Sequence, residues 1–94
     1  MANFTVRVEL HNAKSTDYDE LHDKMKKKGF KKTISTNDGK EYSLPSAEYN
    51  YPSDSKDKYE VCDLAYGIAK TVKKNPSVLV TKSDGRTWRG LDEI

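Results

Sequence analysis

FTVRVELH, residues 4–11, alternates apolar Phe4, Val6, Val8 and Leu10 with polar Thr5, Arg7, Glu9 and His11. A period of two marks a strand that is covered on one face and open on the other. The rest of the chain must therefore supply a cover for one side and neighbours for both edges. The second side stays free to present Thr5, Arg7, Glu9 and His11.

Working outward, Thr16 or Asp17 is placed to cap a helix, with Asp19 or Glu20 as its capping-box partner, and the spacing predicts a first helix over Asp17 to Lys28. Its buried stripe reads Tyr18, Leu21, Met25 and His22, and its ends are acidic first and basic last, the order that suits the helix dipole. Gly29 fits a left-handed C′ residue, with Phe30 folding back on the last turn. Residues 30–36 alternate again, and Asn37-Asp38-Gly39 tolerates the positive φ of a tight hairpin. The second arm, Glu41 to Tyr49, is interrupted by Pro45, which forces an edge or a bulge. Tyr51 to Ser55 then reads as a turn. A second helix follows over Lys56 to Lys74, with the stripe Tyr59, Cys62, Ala65, Ile68, Ala69 and Val72. Gly67 within it suggests a close packing partner, and Asn75-Pro76 stops it. Val78 to Val80 form a fourth strand, and Asp84-Gly85 turns the chain into a short fifth strand, Arg86 to Leu91.

The order β-α-β-β-α-β is the split βαβ arrangement, so the expected fold is α+β and ferredoxin-like, with a short extra C-terminal β-strand. Ninety-four residues bound it to one domain, residues 1–94. Apolar and charged residues each make up 34%, which describes a polar chain with one economical core. No apolar run reaches the length of a membrane span, and residues 1–13 lack the basic and apolar regions of a secretion signal, so the expected location is the cytoplasm with no membrane partner. A lone cysteine, Cys62, excludes an internal disulfide, fits a reducing compartment and reads as a core thiol.

No HxxxH, CxxC or DxD spacing and no phosphate-cradling glycine loop occurs, so no metal and no cofactor is expected. Metal-free RNA cleavage asks for a general acid/base and a cation at the phosphorane; His11 (or His22) and Arg7 are the residues that could fill those roles. Charge is segregated: residues 1–36 carry eight basic and five acidic groups, 37–69 three and seven, and 70–94 six and three. From the two basic segments, Lys31, Lys32, Lys82, Arg86 and Arg89 are candidates for an RNA-backbone track, with Trp88 as a stacking platform. The same features also fit solvated helix ends and a core tryptophan. The hairpin ending in Trp88 and Leu91 could instead add its strand to a second copy, giving a homodimer.

FTVRVELH (4–11), GFKKTISTNDGKEYSLPSAEY (29–49) and VLVTKSDGRTWRGL (78–91) together resemble the prophage-type branch of the GhoS antitoxin family, over most of the chain. That resemblance implies a bacterial toxin–antitoxin system of type V, a ferredoxin-like fold, and an endoribonuclease acting on a toxin's messenger RNA. The related small CRISPR nucleases place an aspartate at the end of strand one, where this chain has Leu10, His11 and Asn12. Arg7 and His11 are therefore chosen on their own chemistry and not transferred from the family. The alternative reading is a non-catalytic prophage module that binds RNA or a protein partner.

Overall fold

The structure, a computed structural model, describes residues 2–94. In chain order it contains β1 (Ala2–Glu9), α1 (Ser15–Lys27), β2 (Thr33–Ser35), β3 (Glu41–Ser43), β4 (Glu48–Ser53), α2 (Lys58–Val72) and β5 (Ser77–Lys82). The fold is α+β. β1 lies between β4 and β5, antiparallel to both, and β2 and β3 form a separate antiparallel pair. The alternation in β1 does what its period requires: Phe4, Val6 and Val8 are fully buried, while Arg7 and Glu9 are exposed. The buried side packs with Tyr49 and Tyr51 of β4 and with Leu21, Met25, Val61, Ala65 and Ala69 of the two helices. Among the described residues no helix is long and apolar enough to cross a membrane.

Local chemistry fixes the element ends. Gly29, at φ +93°, closes α1 as expected: its N–H donates to Lys26 O (3.1 Å) and the Phe30 N–H to Met25 O (3.0 Å), the paired bonds of a Schellman cap. The start of α1 differs from expectation. It begins at Ser15, and Asp17 is not the cap but the third helical residue, accepting the Lys14 N–H at 2.9 Å. α2 is capped by Asp57, which accepts from Glu60 N at 2.8 Å while Glu60 accepts from Asp57 N at 3.1 Å. Each carboxylate satisfies a backbone donor that the helix itself leaves unpaired.

Three further expectations are corrected. The second hairpin arm is two strands rather than one. After β3 the chain turns at Pro45 to Glu48, with Glu48 N donating to Pro45 O and Ala47 at φ +68°. The restarted strand then runs through Tyr51-Pro52, the stretch read as a turn, because Asn3 pairs with Pro52 and Ala2 with Ser53. On its outer side β4 exchanges backbone hydrogen bonds with Lys31 (2.9 and 2.7 Å at Asn50). Second, no strand forms over Arg86 to Leu91. The C-terminal pairing falls further on, where Glu93 bridges Tyr42, Ser43 N donates to Asp92 O and Ile94 N to Glu41 O. Third, the buried stripe of α2 is rotated. Val61 is fully buried and Tyr59 is 70% exposed, with Cys62 half-buried. Gly67 has no close partner; a Cβ there would meet nothing within 4 Å, because it borders the groove between the helices beside Leu64 and Ile68.

Candidate nucleic-acid interface

The face of the sheet away from the helices carries the polar residues of β1 and their cross-strand neighbours. Residues directly opposite each other in a ladder share a face, so Thr5 lies in a row with Asn50 and Thr81, and Arg7 in a row with Glu48 and Leu79. Across these rows comes the segment that follows β5. After the turn at Gly85, the Arg86 guanidinium reaches over the sheet, and its Nη1 donates to Asn50 Oδ1 at 2.9 Å and to Thr5 Oγ1 at 3.4 Å. Burial draws the Arg86 pKa down from the usual arginine value, yet a guanidinium stays charged at any physiological pH.

Arg86 and Trp88 line two neighbouring depressions. One, of about 430 Å³, is bordered by Asn3, Thr36 and Ser83, and the other, of about 380 Å³, by Leu44, Glu48 and Leu91. Trp88 is braced by Tyr42, ring centroids 5.6 Å apart and tilted 58°. A fixed cation beside a braced aromatic ring is the pair that single-stranded nucleic acid uses, one for phosphate and one for a base. Arg89 borders the second depression. Lys31, opposite Asn50, falls on the same side of the sheet.

Further along β1, Arg7 and Glu9 border a smaller depression of about 160 Å³ with Ser77 and Leu79. His11, just past the strand, is held there by Ser77: Nε2 lies 2.8 Å from Oγ. An imidazole, a carboxylate and a guanidinium therefore share one end of the open face. Among the described residues no cluster of three or more His, Cys, Asp or Glu side chains is placed to hold a metal ion.

Two of the candidates for the RNA-backbone track lie elsewhere. Lys82 pairs with buried Phe4, which puts it on the helix side, where it borders a depression with Lys56 and Tyr59. Lys32 is a structural tie: its ammonium donates to Pro45 O (2.8 Å) and Glu48 O (3.2 Å) and sits 5.2 Å from the centre of the Tyr49 ring. Desolvation lowers its pKa, opposed by nearby Glu48. Thr5, Asn50 and Ser77, which hold Arg86 and His11, escape a reading by charge because neutral polar residues act here only through long-range contacts.

His22 lies on the helix side, remote in the fold from Arg7. Its Nδ1 is 2.5 Å from the Tyr49 hydroxyl, a hydrogen bond the neutral imidazole makes in either tautomer. Burial first, and the Lys32 charge second, lower the His22 pKa, with Asp19 and Asp23 opposing. The unfolded chain takes up this proton near 6.5 and the folded chain only at lower pH. The contribution of His22 is thus complete above 6.5 and lost as the pH falls through the folded value. Thermal melts from pH 7.5 to 5 should show a larger fall in Tm for the natural chain than for His22→Gln; equal falls would exclude this role.

No family model, curated protein or solved structure matches the chain.

Proposed function

We propose that the chain is a ferredoxin-like RNA-acting domain that lays single-stranded RNA across the open face of its sheet. The observation that carries this reading is the Arg86 guanidinium, fixed by Asn50 and Thr5 and lining two depressions together with Trp88. The topology supports it: with Lys31 bridged to β4, the spatial order is the β2 segment, β4, β1, β5, the order of a split βαβ sheet whose helices leave one face bare. An RNA substrate places the protein in the cytoplasm. In keeping with the GhoS resemblance, we assign the chain the role of an antitoxin-type endoribonuclease. At the Arg7 end, the 2′-hydroxyl of the bound strand attacks the adjacent phosphorus and the 5′-oxygen leaves, forming a 2′,3′-cyclic phosphate. Glu9 takes the attacking proton, His11 supplies one to the leaving oxygen, and Arg7 neutralises charge on the phosphorane.

The test is incubation of the full chain with a pool of labelled bacterial transcripts, with and without EDTA, read by gel shift and on a sequencing gel. Binding should weaken steeply with salt, as phosphate neutralisation requires. Cuts should persist in EDTA and fall about tenfold or more in Arg7→Ala, the loss of one charged hydrogen bond, with an unchanged circular-dichroism spectrum. Neither shift nor cuts at low salt would overturn the proposal.

A further inference from the structure

β5 pairs with β1 along one edge and with no described strand along the other. Folded chains blunt such edges with proline, bulges or inward charges. Ser77-Val78-Leu79-Val80-Thr81-Lys82 has none of these devices, and its only charge is at the end. Leu79 is 65% exposed on the open face. On the helix side the same edge is flanked by α2, whose surface away from α1 carries Tyr59 (70% exposed), half-buried Cys62 and Tyr66 (40% exposed), spaced three and four apart so that they form one strip. The bare strand edge and the apolar strip border each other, since Tyr59 and Lys82 line a common depression at one end. The C-terminal residues expected to seek a partner are already used within the chain, at β3.

We propose that a second copy of this chain covers the edge: β5 pairs antiparallel with the partner's β5 about a two-fold axis normal to the sheet and centred on Leu79. This register keeps matching faces together. Leu79 meets the partner's Leu79 on the open face, Ser77 meets the partner's Thr81, and Val78 meets the partner's Val80 above the joined cores. Lys82 falls opposite the partner's Pro76, so no like charges oppose each other along the strands. Charge also favours a copy over an unrelated strand. Asp63 and Lys70 flank Tyr66 three and four residues away on α2, so antiparallel helices crossing at Tyr66 set each Asp63 against the partner's Lys70, with opposed helix dipoles. Lys58 folds over the Tyr59 ring, 5.3 Å from its centre. The two open faces then become one continuous surface. This inference is independent of whether that surface takes RNA.

Sedimentation equilibrium of the full chain, from low to high micromolar concentration, should give twice the 10.7 kDa chain mass. Leu79→Lys combined with Tyr66→Glu should raise the dimer dissociation constant by about tenfold or more while leaving the far-ultraviolet spectrum unchanged. In a Cys62→Ser background, Leu79→Cys should cross-link to its own copy under mild oxidation, and Thr81→Cys, which faces serine, should not. A single-chain mass at every concentration overturns the proposal. So does a dimer that survives the charged pair, or a Thr81→Cys cross-link as efficient as that of Leu79→Cys.

Discussion

Tyr49→Ala is expected to remove about 3–5 kcal/mol of stability, the cost of deleting a buried aromatic side chain and leaving its cavity. Domains of this size have only about 5–15 kcal/mol in total, so the variant should be partly unfolded at physiological temperature. Tyr49 carries this weight because three kinds of contact meet on it. It is the largest fully buried side chain. Phe30 meets its ring edge-on at 6.4 Å, the Lys32 ammonium lies over its face, and its hydroxyl bonds His22. Burial raises the pKa of that hydroxyl, so it remains a protonated donor throughout the useful pH range. Tyr49→Phe separates packing from hydrogen bonding: keeping the ring and losing one bond should cost about 1–2 kcal/mol. Urea denaturation with a constant m-value checks both. If Phe costs as much as Ala, the polar bond and not the packing holds the site. If Ala costs less than about 1 kcal/mol, Tyr49 is not the keystone of this core.

Local signals were legible, and distant ones were not. The β1 alternation, the Gly29 cap and the Asn37-Asp38-Gly39 turn each depend on residues within one or two turns of chain, and the structure has all three, the last with Thr36 N and Lys40 O paired at 2.8 Å. The rotation of the α2 stripe depends on where β5 ends. With no described strand beyond it, Tyr59 stays exposed and Cys62 only half-buried, although their spacing is as regular as that of Val61, Ala65 and Ala69. Pro52 sits inside β4 because its nitrogen, two residues beyond Asn50, whose N–H donates outward to Lys31, faces away from β1 and costs the β1–β4 ladder no donor, a context no dipeptide rule contains. The same limit applies to the site. Sequence alone groups lysines and arginines by chain position and sign. Strand parity then sends Lys82 to the helix side with Phe4, and the path after Gly85 carries Arg86 to Asn50, 36 residues away in sequence. Counting charge finds cations; only the register tells which of them share a face.

Arg86 and Trp88 should therefore outweigh every lysine in RNA affinity. A charged hydrogen bond to phosphate contributes about 1.5–3 kcal/mol and one base stacked on an aromatic ring about 1–3 kcal/mol. Arg86→Ala and Trp88→Ala should each weaken binding of a fluorescein-labelled single-stranded RNA by about tenfold to a hundredfold, as read by anisotropy. The double variant should lose less than the product of the two, because both residues line the same depressions and coupled neighbours are not additive. Arg86→Ala should also flatten the salt dependence by about 0.7 in logarithmic slope, one phosphate's worth of released counterion. Arg86→Lys should restore that slope but not the full affinity, since an ammonium cannot span Asn50, Thr5 and a phosphate as the planar fork does. Asn50→Ala, which frees the guanidinium without touching its charge, should lie between the two, making Asn50 a positioning residue. Lys82→Ala is the control: on the other side of the sheet, it should change affinity no more than about twofold, the size of a remote charge screened by salt. A Lys82→Ala loss equal to that of Arg86→Ala would mean that RNA follows net charge and not this face, because only a site on the open face distinguishes cations by strand parity.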